Sequence, residues 1–179
     1  MSKAYKISRR RLISSGLSTA TLAALPSRLI AGAKMQKIQG DKMTRLIPYL
    51  LFDGKCREAM EFYKSVFGGE LILTKVKDSP ARDQMQAFQQ EKVLNAHLQS
   101  GGLEISASDW LALNETPIRG NTVCLFLSGG TFQNLKAVFD RLSQGAEVTN
   151  PLKEVFFGVY GDLNDRFGVR WMFQTNKKD

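Results

Sequence analysis

From residue 46 the apolar positions fall into a regular order. LIPYLLF (46–52) is an apolar run of strand length, closed by the turn residues Asp53-Gly54. Ala59, Phe62, Tyr63, Val66 and Phe67 then recur at i, i+3, i+4, i+7 and i+8, one apolar face of a helix over 56–67. Gly68-Gly69 stops that helix. ELILTKV (70–76) reads as a strand and the polar stretch 77–91 as a loop. VLNAHLQS (93–100), Gly101-Gly102 and LEISAS (103–108) read as a hairpin. After a second loop, 109–120, the order recurs. NTVCLFLS (121–128) predicts a strand, Gly129-Gly130 a turn, and Leu135, Val138, Phe139 and Leu142 a helical face within 131–143. Gly145 stops that helix, AEVTN (146–150) begins a strand, and further strands are expected within 153–163 and 169–175.

The two halves superimpose at an offset of 76 residues. Leu46 falls on Thr122, Phe62 on Val138, Tyr63 on Phe139, Val66 on Leu142 and Gly69 on Gly145. A supersecondary unit repeated in this way does not bury its apolar face alone, so the copies pack together. The expected fold class is α+β, with two tandem βαβββ modules, 46–108 and 121–175, in a domain over 46–176.

Charge separates the first 42 residues from the rest. The chain has 179 residues and a formal net charge of +8. Residues 1–42 hold nine Lys and Arg against the single acid Asp41, which accounts for all of it; residues 43–179 hold 16 of each sign. The body therefore lacks the basic footprint of a nucleic-acid binder. Residues 1–11 are basic, 12–25 are mildly apolar, Pro26 breaks the run, and Ala31-Gly32-Ala33 offers small residues for cleavage before Lys34. This is the order of an export signal over 1–33, followed by a polar linker, 34–45. Ser8–Ser14, with Arg9 and Arg10 before the apolar pair Leu12-Ile13, resembles the twin-arginine signal and implies the twin-arginine export machinery as a partner. The mature chain is then periplasmic or secreted. If translation starts at Met35 or Met43, the chain is cytoplasmic. No apolar run reaches the ~20 residues of a stable membrane span.

Two longer strings carry a family resemblance. IPYLLFDGKCREAMEFYKSVFGGEL (47–71) and YGDLNDRFGVRWMFQ (160–174), with its D-x-F-G-V-x-W-M pattern, resemble the PhnB-like, or demethylubiquinone-methyltransferase-like, branch of the vicinal oxygen chelate superfamily. That superfamily includes glyoxalase I, bleomycin-resistance proteins and extradiol dioxygenases. The resemblance covers about 44–175. It implies curved sheets forming an open barrel around a ligand cavity, and a homodimer. It does not imply methyl transfer, since nothing here resembles a methyltransferase's glycine-rich cofactor loop.

The resemblance places metal ligands, where a member has them, on the first and last strand of each module. Here those strands offer Leu46, Ile47, Pro48 and Tyr49, then Thr122, Val123 and Cys124, with Met172 near the usual glutamate. Met and Tyr are poor ligands for a hard divalent ion. His97 and Glu104 remain as weak metal candidates, so no cofactor is expected, with a divalent metal as the alternative. One histidine excludes a multi-histidine site, and two cysteines exclude a four-thiolate zinc site. Tyr49, His97, Glu104, Phe126, Trp171 and Met172 are the ligand-cavity candidates. Trp110, Phe156, Tyr160 and Phe173 fit a cavity wall or core packing equally. His97 fits a general base or a hydrogen-bonded structural residue. Cys56, at a helix start, is the better candidate for a lowered thiol pKa, and Cys124 reads as a buried thiol. Asp165 and Arg166 are expected to make turn contacts. Two functions follow: a protein that binds a small organic molecule without metal catalysis, or a metal-dependent lyase or dioxygenase with an unusual ligand set.

The leader carries its own test. Changing Arg9, Arg10 and Arg11 together to Lys should leave uncleaved precursor in the cytoplasm, while the unaltered chain appears outside it as a form beginning near Lys34. Full-length, cytoplasmic unaltered protein would reject export.

Overall fold

The computed structural model describes residues 45–176. The export signal with Arg9 and Arg10, and the linker up to residue 44, lie outside the described residues. The first module runs β1 (Tyr49–Phe52), α1 (Cys56–Phe67), β2 (Glu70–Lys75), β3 (Val93–Ser100) and β4 (Leu103–Asp109). The second runs β5 (Leu125–Ser128), α2 (Phe132–Leu142), β6 (Glu147–Val155), β7 (Gly158–Asn164) and β8 (Arg170–Thr175). Each makes a four-stranded mixed sheet, ordered β1-β4-β3-β2 and β5-β8-β7-β6. In both, the first strand lies parallel to the last and the other pairs are antiparallel. The tandem α+β duplication is therefore present. The sheets are curved and do not close into a barrel.

Local chemistry explains the helix ends. Thr131 caps α2 by accepting from the Asn134 amide at 3.2 Å. The residue before α1, Lys55, has no side-chain acceptor for this purpose. Asp109, at the far end of β4, does it from a distance: its carboxylate accepts from the Cys56 amide at 2.9 Å and the Val93 amide at 2.7 Å. One buried acid thus ties the start of a helix to two strands. At the other end of α1, Gly69 has φ +84°, and a Cβ there would collide with the Gln99 carbonyl and Ser100. Only glycine fits both demands.

The core lies between the helical faces of the two sheets. Cys56, Ala59, Met60, Phe62, Tyr63 and Val66 of α1 are all buried, as are Leu135, Phe139 and Leu142 of α2. Each large side chain contributes roughly 1.5–3 kcal/mol by burial. The 76-residue offset holds through both helices and both stop glycines. It also holds for the first strands, although the ladders begin at Tyr49 and Leu125, three and four residues later than expected. It fails for the strand faces: Leu50 and Phe52 face the core in β1, whereas Leu125 and Leu127 do in β5.

The two modules also differ between their second and third strands. In the second, Val155 and Gly158 close a tight hairpin. In the first, the stretch expected to be a plain loop contains three short 3₁₀ turns, Val76–Asp78, Arg82–Gln84 and Ala87–Gln89. Gln89 fastens it: buried, it donates to the Leu111 carbonyl at 2.8 Å and accepts from the Gln86 amide at 2.9 Å. Polar composition hid these turns because their own backbone and amide side chains, not apolar contacts, hold them.

The modules meet where the closing segment of the second docks on α1. The Phe167 ring packs 5.8 Å from Phe62 and 6.1 Å from Tyr63; Trp171 packs 5.6 Å from Tyr63 and 5.5 Å from Phe67. At the centre is Asp165, which is 4% exposed. Its Oδ2 accepts from the Tyr63 hydroxyl at 2.7 Å and the Trp171 indole at 2.9 Å. Its Oδ1 accepts from the amides of Phe167 and Val169, each at 2.9 Å. Burial, and then the Asp165 charge, push the Tyr63 phenol well above its ordinary pKa, so it stays a donor.

Tyr63→Phe should cost about 1.5–3 kcal/mol, the value of a hydrogen bond to a charged group. Asp165→Asn should cost more, because an amide presents one acceptor oxygen where four donors converge. Denaturant unfolding of both variants checks the order; a Tyr63→Phe loss below the error of the fit would show that this bond does not join the modules.

Candidate functional site

The strand registers decide which residues share a surface. Facing away from the helices, Ile72, His97, Ser106 and Tyr49 form one row across the first sheet. Asn150, Asp162, Met172 and Phe126 form the corresponding row across the second. Each row begins with a half-exposed aromatic on the first strand, Tyr49 or Phe126. Glu104 lies on the same face as His97, since it is two residues before Ser106 on β4. Five of the six cavity candidates, Tyr49, His97, Glu104, Phe126 and Met172, therefore lie on these open faces. Trp171 points the other way, into the core. Neighbours in a strand face opposite sides, so Trp171 and Met172 do not line one surface.

The first open face carries a short polar chain. His97 Nδ1 is 3.0 Å from the Ser106 hydroxyl, and its Nε2 is 3.2 Å from Glu104 Oε1. Glu104 Oε2 accepts from Arg45 at 2.6 Å. The separation from His97 is short, yet Glu104 Oε1 is buried without a hydrogen bond of good geometry. On the second face Asp162 is 1% exposed. Its Oδ2 accepts from Asn150 at 2.7 Å and from the Tyr160 hydroxyl at 2.8 Å. Its Oδ1 has no hydrogen bond and lies 3.9 Å from the Arg170 guanidinium. Burial and the bond to Asp162 raise the Tyr160 phenol above its ordinary value. Asp162 and Asn150 are absent from the sequence-based candidates. The alternation Tyr160, Asp162, Asn164 is the signal that marks the face.

His97 and Glu104 already serve Ser106 and Arg45, and among the described residues no three of His, Cys, Asp or Glu converge. A three-ligand centre needs that convergence.

The remaining candidates divide by position. Phe173 is buried beneath the second sheet, 5.0 Å from Phe139. Phe156 lies at the β6–β7 hairpin, 93% exposed, with its ring against Phe157. Arg166 stacks 4.0 Å over Phe62, beyond the turn contacts expected of it. Cys56 and Cys124 are both free thiols. Cys124, half-buried rather than buried, lies 2.9 Å from the Met172 sulfur. The expectation for Cys56 is reversed: burial first, then the Asp109 charge beside it, push its thiol up to about 12. Asp109 caps the helix there, so the dipole meets an anion and not a thiolate.

Where the first strands of the modules approach each other, an open cavity of about 400 Å³ lies against Tyr49, Leu51, Trp110, Val123 and Cys124. Its far wall is the connector Pro117–Gly120 and the segment 168–170. The connector joins the modules and carries no periodic pattern, so sequence reasoning left it out of the site.

Alkylation of the folded protein near neutral pH should modify Cys124 and spare Cys56, which should react only after unfolding. Peptide mass mapping reads this directly, and equal labelling of both thiols would contradict the burial of Cys56.

Comparison with known proteins agrees with the duplicated fold. The sequence profile of the 3-demethylubiquinone-9 3-methyltransferase family matches residues 44–174. The crystal structure of protein PA1353 from Pseudomonas aeruginosa is similar at 31% identity and a TM-score of 0.65, over 75% of this chain and 99% of that one. The PhnB protein from Bacillus cereus is similar at 25% identity and a TM-score of 0.61, over 74% of this chain and 99% of that one. A glyoxylase/bleomycin resistance protein/dioxygenase domain from Frankia sp. shares the fold, with a TM-score of 0.54 and 16% identity over 75% of this chain and 93% of that one. The chain belongs to the 3-demethylubiquinone-9 3-methyltransferase family, the PhnB-like branch of the glyoxalase/bleomycin-resistance fold.

Proposed function

We propose that this chain is a small-molecule binding protein that holds an organic ligand in the cavity between its modules and does so without metal catalysis. The observation that carries this reading is the cavity itself. At about 400 Å³ it falls within the size range of small-molecule sites, and apolar side chains dominate its near wall. The family's name does not supply a methyl-transfer reading, because the sequence has no glycine-rich cofactor loop. The metal-dependent lyase or dioxygenase gains no support from His97 and Glu104, which are engaged with Ser106 and Arg45.

The same reading includes a homodimer. Tyr49, Leu51, Ile72 and Phe126 are exposed apolar side chains on the open faces. A second copy covering open sheet faces would bury such side chains, and the neutral body sets up no net repulsion. We further propose that residues 1–33 direct this binder out of the cytoplasm.

Native mass spectrometry of the purified mature chain should give a dimer with a bound organic mass and no stoichiometric metal. Leu51→Asp, which places a negative charge in the cavity wall, should remove the bound mass and leave the fold intact by circular dichroism. Near-stoichiometric Ni, Zn, Fe or Mn would favour the enzyme instead. A monomer at tens of micromolar would reject the dimer.

A further inference from the structure

We propose that the cavity selects an anionic molecule with an apolar body, a carboxylate or similar oxyanion attached to a ring or chain. This deepens the binding reading above and rests on it. The lining contains two arginines, Arg119 and Arg170, and no acidic residue. Arg119 makes no hydrogen bond or ion pair among the described residues. Its guanidinium lies against Gly168, where a Cβ would collide with Nη1. Gly168, at φ +79°, therefore clears the space that Arg119 occupies.

Arg170 is engaged only in part. One arm donates to the Asn121 carbonyl at 3.3 Å, and the other stands 3.9 Å from Asp162 Oδ1, beyond hydrogen-bond reach. A guanidinium has five donors in a planar fork, so Arg170 keeps several for a ligand. Asp162 offsets part of its charge, which leaves Arg119 as the main source of positive field. Asp165, the other acid of this region, is saturated by four donors.

The cavity thus presents two guanidinium groups and no charged acceptor. Leu51, Ile118 and Val123 supply apolar wall for the ligand's body. An amine would meet two like charges. A neutral apolar molecule would leave both guanidinium groups without an acceptor.

Titration calorimetry with 2-naphthoate and its neutral isostere 2-naphthamide tests this on the purified protein. Naphthoate should bind about tenfold or more tightly than naphthamide, and added salt should weaken naphthoate alone. Arg119→Gln, an exposed change that should not disturb folding, should bring naphthoate affinity down to about that of naphthamide and so abolish that preference. Equal binding of the two probes, insensitive to Arg119→Gln, would overturn anion selection and leave the small-molecule binder standing. Binding of neither probe to the unaltered protein would overturn both readings of this cavity.

Discussion

The Asp165 carboxylate is the interaction on which the rest of the described structure depends. Four donors converge on it: two backbone amides of its own turn, the indole of β8 and the phenol of α1. Three of them shape the turn that starts the last strand, and the fourth belongs to the other module, 102 residues away in sequence. A charge buried this deeply is tolerable only when its acceptor capacity is used. Tyr63 completes that set, so the second module's turn is satisfied only when docked on the first module's helix. Burial of Phe167 and Trp171 against Phe62, Tyr63 and Phe67 supplies the bulk of the contact. Asp165 fixes its register, because an apolar stack alone tolerates sliding by a fraction of a turn.

The motif D-x-F-G-V-x-W reads directly as this turn. The aspartate accepts from the amides two and four residues on and from the indole six residues on. Phenylalanine provides the docking ring. Glycine takes a positive φ and leaves room for Arg119. The string thus has a structural meaning independent of any catalytic one. Asp109 plays a comparable part in the first module, where it caps α1 from β4. Each module is therefore closed by a buried acid near its last strand.

Much of this was legible in the sequence, and the part that was not has physical reasons. Both helices appeared at nearly their observed bounds, because apolar spacing of three and four residues followed by glycine admits few other structures. The duplication appeared for the same reason. The register of the strands was harder. Short apolar runs such as LIPYLLF carry no alternation, so nothing in them says that Leu50 and Phe52 face inward while Tyr49 and Leu51 face out. Trp171 and Met172 are apolar and adjacent, and only the ladder with β7 separates their faces. Cys56 stands at a helix start, but nothing near it in the sequence marks Asp109, 53 residues later, as the group that occupies the same helix end. Of the cavity's arginines, Arg119 lies in a connector with no periodicity, and Arg170 opens β8 within a string whose other residues serve the turn and the core.

The two halves have drifted apart where the fold leaves them free to do so. Helix spacing and stop glycines keep the 76-residue offset because both helices bury one face against a sheet. The offset falls to 66 by the last strands, where Ser106 and Met172 hold matching places in their rows. The difference lies in the stretch between second and third strands, which touches neither the shared core nor the Asp165 junction. The open faces have diverged in chemistry as well. One row centres on His97 and Ser106, the other on Asp162 and Met172. Symmetry of the scaffold with asymmetry of the exposed rows follows from where the core lies. The inward faces are held by shared packing, and the outward-facing side chains change without altering the core that holds the modules together.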